Sequence, residues 1–402
     1  MVHLMLQCEQ MRLLTALRRF AHNAAQSPQT SERCLQVKIF IQVAVIGPPN
    51  SGKSLLTNQI VRAQVSAVSS KMDTTQRNVT AALTEHGCQL VVVDSPGTIG
   101  IQHARKVVKR NEPMLLTGPE RALEGASHVL VVHDSTATGD YIHHRVLHLL
   151  HRYPHLTSSL VLNKIDLVQR RSDLLELVRI LCNGKVGGEA IKVMKSQMGR
   201  LGKAGTSAQR HSTMGLHTDE EKERSAQWQQ KYRALIQKPT HKCGWLETKS
   251  LFADIRGWSN FDAVFFVSSL TGEGIDALRE HLYELSEDKA YRFDENMVTT
   301  KKPMAICEDA IRAQLLDNLP SDIAYALKIK VTEWQMEGDV LQIVAEVQCD
   351  KEKWGRYVLG KGNSKIMKIG KAVNVSMQNL FKQQLFVRIL VKSRGKLIDN
   401  TK

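Results

Sequence analysis

The feature that most constrains this chain is a β-branched apolar run that breaks into a glycine loop and resumes as a helical pattern. Val37-Lys-Ile-Phe-Ile-Gln-Val-Ala-Val-Ile46 has strand composition, Gly47-Pro-Pro-Asn-Ser-Gly-Lys-Ser54 follows, and Leu55-Leu-Thr-Asn-Gln-Ile60 reads as helix. The pattern G-x-x-x-x-G-K-[ST] at that junction needs its glycines so that successive backbone N–H groups can turn inward. They cradle phosphate oxygens at a helix N-terminus. Asn50, Ser51, Gly52, Lys53, Ser54 and Leu55 are therefore expected around the phosphates of a nucleoside triphosphate. Lys53 would reach the β- and γ-phosphates, and Ser54 would ligate Mg²⁺.

A phosphate loop leaves the base open, and the elements that follow it close that question. After the Leu90 to Val93 run comes Asp94-Ser-Pro-Gly97, where a strand-end carboxylate would hold Mg²⁺ through water and the Gly97 N–H would meet the γ-phosphate. Upstream, Thr74-Thr75 lies in the loop where a switch threonine completes the Mg²⁺ shell and reports the γ-phosphate by becoming ordered. Ser54, Thr75 and Asp94 form the expected metal set, and Lys53, Thr75, Gly97 and Asn50 the expected catalytic one. Asn163-Lys-Ile-Asp166 follows a Ser159 to Leu162 strand. Asp166 can accept hydrogen bonds from the guanine ring N–H and exocyclic amine, Asn163 steadies the loop, and the Lys164 stem packs over the ring. A site built around such polar pairs rejects a base that lacks them. Ser268, Ser269 and Leu270 end a further apolar strand at a small-residue loop suited to the guanine oxygen. Five elements in this order predict a doubly wound α/β domain over residues 37–288, with GTP or GDP at the C-terminal ends of its strands.

These motifs resemble the Era branch of the translation-factor-related GTPases. The resemblance rests on Thr74-Thr75, Asp94-Ser-Pro-Gly97, Asn163-Lys-Ile-Asp166 and Ser268-Ser-Leu-Thr-Gly-Glu-Gly274, and it covers nearly all of the chain after its N-terminus. It implies a GTPase whose turnover is slow without help. Thr98 stands where Ras-like proteins carry a water-orienting glutamine and where this family usually has an aliphatic residue. The resemblance also implies that Asn50 ligates a potassium ion beside the β- and γ-phosphates; the alternative is that Asn50 caps the loop with its side chain.

Lys and Arg number 55 against 40 Asp and Glu, a formal net charge of +15 that favours polyanions. The excess is concentrated late in the chain. Residues 351–396 hold twelve Lys or Arg and one acid, Glu352. There, Val358-Leu-Gly-Lys-Gly-Asn-Ser-Lys-Ile366 resembles the G-x-x-G loop of a KH domain, which clamps single-stranded RNA. Gly360, Lys361, Gly362, Asn363, Lys365 and Lys368 are the expected RNA contacts. Asn363 replaces the motif's last glycine, and asparagine is the next best residue for a left-handed backbone. A helix over Ala305 to Leu316 and strands over Ile323 to Trp334 and Val340 to Val347 precede the loop. This order predicts an α+β type II KH domain over 305–396, joined by a linker at 289–304. Within the first domain, residues 184–246 read as a polar insertion, disordered in its first half and with a helix over Asp219 to Gln237.

Residues 1–36 combine arginines with an apolar helical face of Leu13, Leu14, Leu17 and Phe20, as a mitochondrial transit peptide does. A disordered tail on a cytoplasmic protein is the alternative, favoured by Glu9. No apolar run approaches the roughly 18 residues that span a bilayer. Seven scattered cysteines form no C-x-x-C pair, which fits a reducing compartment without a zinc site. With an Era-type domain, the KH domain implies binding near the 3′ end of small-subunit ribosomal RNA and assembly of the small mitoribosomal subunit in the matrix. DNA is not an expected partner, and membrane-surface association is not required. Two other readings stay open: an RNA-binding module or chaperone with a relic nucleotide domain, and a signalling GTPase whose basic face meets anionic lipid.

Overall fold

The computed structural model describes residues 38–69, 75, 77–98, 113–137, 139–191 and 226–398. The expected transit peptide, Thr74 and residues 192–225 of the expected insertion lie outside this set.

Strands β1 (Ile39–Ile46), β2 (Val79–Glu85), β3 (Cys88–Asp94), β4 (His128–Asp134), β5 (Thr157–Asn163) and β8 (Ala263–Phe266) form one sheet in the order β2-β3-β1-β4-β5-β8. All pairs are parallel except β2 with β3. Continuous apolar strands arise because both sheet faces are covered. Alternate residues of β1 enter two different cores. Val43 and Val45 pack with Leu56 and Ile60 of α1 (Lys53–Val61) and Leu278 of α7 (Ile275–Glu284). Ala44 and Ile46 face Val146, Leu147 and Leu150 of α3 (His144–Arg152). Helices α2 (Pro113–Leu123) and α4 (Arg171–Leu181) complete that second layer, and a two-residue hairpin, β6 (Lys185–Val186) with β7 (Glu189–Ala190), follows α4. The chain reverses sides between β1 and its neighbours β3 and β4, which opens a crevice above the end of β1.

Two stretches depart from the sequence expectation. Residues 226–246, expected within a polar insertion, are bound into the core. Helix α5 (Ala226–Gln237) and helix α6 (Trp245–Leu251) contribute buried Leu235 and Leu251, with Cys243 between them. The cause is α3, whose polar residues stitch this segment down. Buried Arg145 donates to the Thr240 and Cys243 carbonyls at 2.9 and 3.0 Å, and the His148 ring nitrogens lie 2.9 Å from Thr240 Oγ1 and from the Leu235 carbonyl. The second departure is residues 289–304, expected as a linker. Strand β9 (Glu287–Asp288) pairs antiparallel with the start of β1, and the chain then runs back along β2. Ala82 N–H donates to the Val298 carbonyl, and Thr299 Oγ1 to the Thr80 carbonyl. The buried Gln89 amide accepts from the Arg292 and Phe293 N–H groups and donates to the Phe293 carbonyl. This strap is fastened along its length.

The last unit has α-β-β-α-α-β order: α8 (Pro303–Asn318), β10 (Lys328–Glu337), β11 (Val340–Cys349), α10 (Glu352–Leu359), α11 (Ser364–Phe381) and β12 (Leu385–Ser393). A short helix α9 (Ser321–Ala324) lies between α8 and β10. Residues Ile323 and Ala324, expected in the first strand, belong to this turn because Pro320 presets its entry. The strand therefore starts at Lys328. Strands β11 and β12 are parallel neighbours, and β13 (Lys396–Leu397) adds a hairpin edge to β12. Helices α8 and α11 bury Ile311, Leu315, Ile369 and Val373 against Ile343, Ala345 and Val387 of the sheet. This is the type II KH topology.

Candidate nucleotide site and RNA loop

The crevice above β1 is a cavity of about 280 Å³ lined by Asn50, Gly52, Lys53, Ser54, Thr75 and Gly97, among others. A larger hollow, about 360 Å³, lies beside the strap between Lys38 and Tyr291 and brings together no motif residues. The loop geometry explains its glycines. Gly52 has φ +90°, and a Cβ there would come 2.2 Å from Asn163 Nδ2. A Cβ on Gly97 would sit 2.8 Å from the Pro49 backbone. Lys53 is buried and folds its ammonium back onto the Pro48 carbonyl at 2.8 Å.

The three expected metal ligands converge here. Ser54 Oγ and Thr75 Oγ1 are 2.7 Å apart, although 21 residues separate them. Asp94 is fully buried at the end of β3, and neither of its carboxylate oxygens has a hydrogen-bond partner among the described residues. Burial pushes its pKa up, while nearby Ser54 and Lys53 pull it down. An orphaned carboxylate beside two hydroxyls is the donor set of a hard divalent cation. These residues therefore fit Mg²⁺.

At the other end of the cavity, Asn163 ties three loops together. Its Nδ2 donates to the Ser51 carbonyl at 2.9 Å, and its Oδ1 accepts from Ser269 N–H and Oγ at 3.0 and 2.9 Å. The exposed Asp166 carboxylate accepts from Ser268 Oγ at 2.6 Å, which fixes its orientation. Lys164 has φ +65°, and its ammonium meets Asp134 Oδ2 at 2.6 Å. Burial raises the Asp134 pKa, but hydrogen bonds from Lys164 and Thr136 more than offset this and hold it below the ordinary carboxylate range. Asp134 was not expected in the site, yet a signal existed: it ends the apolar strand β4 in register with Asn163 on β5. Thr98 is buried, and its N–H and hydroxyl both turn to the Gly47 carbonyl, at 3.1 and 3.4 Å. It anchors the phosphate loop. Leu270 is 72% exposed at the rim, and Asn50, at φ +62°, makes no side-chain hydrogen bond among the described residues.

The RNA loop has the expected turn. Gly360, Gly362 and Asn363 have φ of +72°, +56° and +62°, so asparagine adopts the left-handed conformation that the motif's glycine would. Lys361, Gly362 and Lys368 are exposed, and Lys365 leads back across Gly360 from the first turn of α11.

Comparison with known proteins agrees with this geometry. The sequence profile described as "50S ribosome-binding GTPase" matches residues 42–164. The mitochondrial GTPase Era of Caenorhabditis elegans is 50% identical over 379 residues, covering 93% of each chain. That of Danio rerio is 29% identical, covering 88% of this chain and 75% of its own. Among solved structures, Aquifex aeolicus Era bound to GDP and AlF4⁻ superposes with TM-score 0.62 at 17% identity, covering 88% of this chain and 94% of that one. An Era complex with MgGDPNP and nucleotides 1506–1542 of 16S ribosomal RNA gives 0.60 at 17% identity, covering 89% and 94%. With half its residues shared across nearly its whole length with one such enzyme, this chain belongs to the Era family of GTPases.

Proposed function

We propose that this GTPase is a nucleotide-gated holder of small-subunit ribosomal RNA near its 3′ end, and that it assists assembly of the small mitoribosomal subunit in the mitochondrial matrix. Three things support the reading: the mitochondrial Era relatives, the solved Era complex with 16S ribosomal RNA, and a basic KH domain carried on the same chain. Gly360 to Asn363, with Lys365 and Lys368, would clamp the RNA backbone. Asp166 would pair with guanine, with Asn163, Ser268, Ser269 and Leu270 shaping its loop and Lys164 lying over the base. Asn50 to Leu55 and Gly97 would surround the phosphates. Ser54, Thr75 and Asp94 would hold Mg²⁺, which offsets charge on the β- and γ-phosphates. Thr98, turned to the Gly47 carbonyl, cannot orient a water, so hydrolysis is slow without a helper.

The observation that carries the gating is a residue of the KH domain on the nucleotide cavity. Asp317, in the last turn of α8, lines it and accepts a hydrogen bond from Ser69 Oγ at 2.7 Å. Ser69 lies six residues before Thr75, in the segment that GTP would order. A triphosphate bearing several negative charges and a carboxylate on the same cavity bias one contact in opposite directions. The test compares the affinity of a single-stranded 3′ ribosomal RNA fragment for the chain loaded with a GTP analogue, with GDP and with nothing. A difference of at least ~5-fold is expected, and Asp317→Ala should shrink it. Equal affinity in all three states would favour the RNA chaperone with a relic nucleotide domain.

A further inference from the structure

We infer that Tyr357 is a stacking platform for one base of the bound strand, set beside the Gly360 to Asn363 loop and coupled to Lys365. The inference rests on the RNA-binding reading above.

Tyr357 sits in the last turn of α10, three residues before Gly360. The side of α10 that docks on the domain is carried by other residues. Val358 and Leu359 are buried in the core, Trp354 packs against it, and Gly355 lies so close to Ile398 that a Cβ would come within 1.9 Å. Tyr357 takes no part in that packing and is 44% exposed. A single exposed aromatic is ordinary. What sets this one apart is its partner. The Lys365 ammonium lies 3.6 Å from the centre of the Tyr357 ring, well inside the ~6 Å reach of a cation–π contact. The lysine stem crosses the loop to get there, since a Cβ on Gly360 would come 2.7 Å from Lys365 Cγ. The side chain thus spans from the first turn of α11, over the loop, to the ring.

This arrangement offers one nucleotide two kinds of contact. The ammonium at the end of that stem lies beside the loop, and a phosphate of a strand clamped by the loop pairs with Lys365. The attached base then reaches the tyrosine ring, which the lysine holds in place on one side and solvent leaves accessible elsewhere. Stacking on a π-face tolerates any base, so Tyr357 adds affinity and register without reading sequence. The bland alternative is that the ring merely positions Lys365. The two differ in salt dependence: a phosphate contact carries a salt slope, and a stack does not.

The experiment uses the full chain with a GTP analogue and a single-stranded ribosomal RNA oligonucleotide carrying 2-aminopurine at successive positions. One position is expected to be quenched by the wild type and released by Tyr357→Ala, with Tyr357→Leu as a second variant of similar bulk. Affinity should fall by roughly 5- to 150-fold in Tyr357→Ala and stay near wild type in Tyr357→Phe. Lys365→Gln should flatten the salt slope by about 0.7, whereas Tyr357→Ala leaves the slope unchanged. A slope flattened equally by Tyr357→Ala assigns the ring to positioning and overturns the proposal. So does unchanged affinity in Tyr357→Ala while Gly362→Asp still abolishes binding. If Gly362→Asp also binds normally, the RNA-binding reading itself has failed.

Discussion

The nucleotide site and the proposed RNA loop both turn on glycines that would let backbone approach phosphate, yet they are built in opposite ways. Around the nucleotide, loops from β1, β5 and β8 are locked through a single buried amide, Asn163, and a Cβ on Gly52 would strike that amide at 2.2 Å. Around the RNA loop little presses on the turn. A Cβ on Gly362 would meet nothing within 4 Å, and the atoms nearest to one on Gly360 belong to the flexible Lys365 stem. The difference follows from the ligand. A small nucleotide is held by enclosing it in preset donors, whereas a strand of RNA must lie across an open ridge.

The largest test of this contrast is a pair of glycine substitutions. Gly52→Ala combines a collision with left-handed strain at φ +90° and should lower GTP affinity by more than ~100-fold while reducing Tm. Gly362→Asp has open space at φ +56°, so its folding cost should be only about 1–2 kcal/mol. It places negative charge where the RNA backbone would run. RNA binding should vanish in gel shifts with GTP affinity unchanged by calorimetry. If Gly362→Asp also loses GTP, the two loops are not independent and the contrast fails.

Next in size is the base. Asp166 is already oriented by Ser268, so Asp166→Asn removes a pair of charge-assisted acceptors without disturbing the loop that holds them. GTP affinity should drop by about 100-fold or more, and xanthosine triphosphate should bind in its place. Equal wild-type affinity for ATP and GTP in direct titration would refute the assignment.

Acid should separate the two domains. His128, His133 and His143 are pushed down to about 4 by burial, with neighbouring cations contributing at His143. A depressed histidine favours the fold fully above its unfolded pKa of ~6.5 and withdraws that support as pH falls towards 4. At pH 5 each should cost the nucleotide domain about 1–2 kcal/mol. No histidine follows His281, which lies in α7 of the nucleotide domain, so the KH domain contains none. Hydrogen exchange on the nucleotide-free protein at pH 7 and pH 5 should therefore show protection lost in β4 and α3 but kept in β11 and β12. Equal loss in both domains would mean that the histidines do not set acid stability.

How far the sequence reached follows the same division between local and distant effects. The phosphate loop, Asp94, Asn163 to Asp166 and the glycines near Gly360 were legible because each motif packs its chemistry into a few consecutive residues. The binding of residues 226–251 to α3 was not, since it depends on Arg145 and His148 finding carbonyls and a hydroxyl almost a hundred positions away. Polar composition suggested an unpacked insertion, and the donors that satisfy it sat on a helix whose histidines, at 144, 148 and 151, mark a polar face without naming its partner. The strap along β2 was hidden for a related reason. Its bonds include backbone pairs and contacts made by Gln89 and Thr299, and no side-chain pattern announces them. Asp317 reaches the nucleotide cavity only because two domains meet there.

The smallest expected effect lies at Asn50, where the two proposed sites differ once more: the nucleotide site would use a monovalent cation, and the RNA loop would use lysines. A potassium ion beside the β- and γ-phosphates would offset charge on the transferring group, the work an arginine finger does elsewhere. The competing explanation, a side-chain cap on the loop, loses support because Asn50 is exposed and its carboxamide makes no hydrogen bond among the described residues. A second competitor replaces it: asparagine tolerates φ +62°, and the loop needs that backbone. Asn50→Ala would confuse the two by adding strain. Asn50→Gly keeps the backbone and removes only the carboxamide. Hydrolysis by the wild type should be about tenfold faster in potassium than in sodium at equal ionic strength, the ~1.4 kcal/mol of one charge-assisted contact. Asn50→Gly should erase that ratio and leave GTP affinity intact. Identical turnover of the wild type in both salts would leave Asn50 as a backbone residue and place the missing catalytic helper in the RNA or a protein partner.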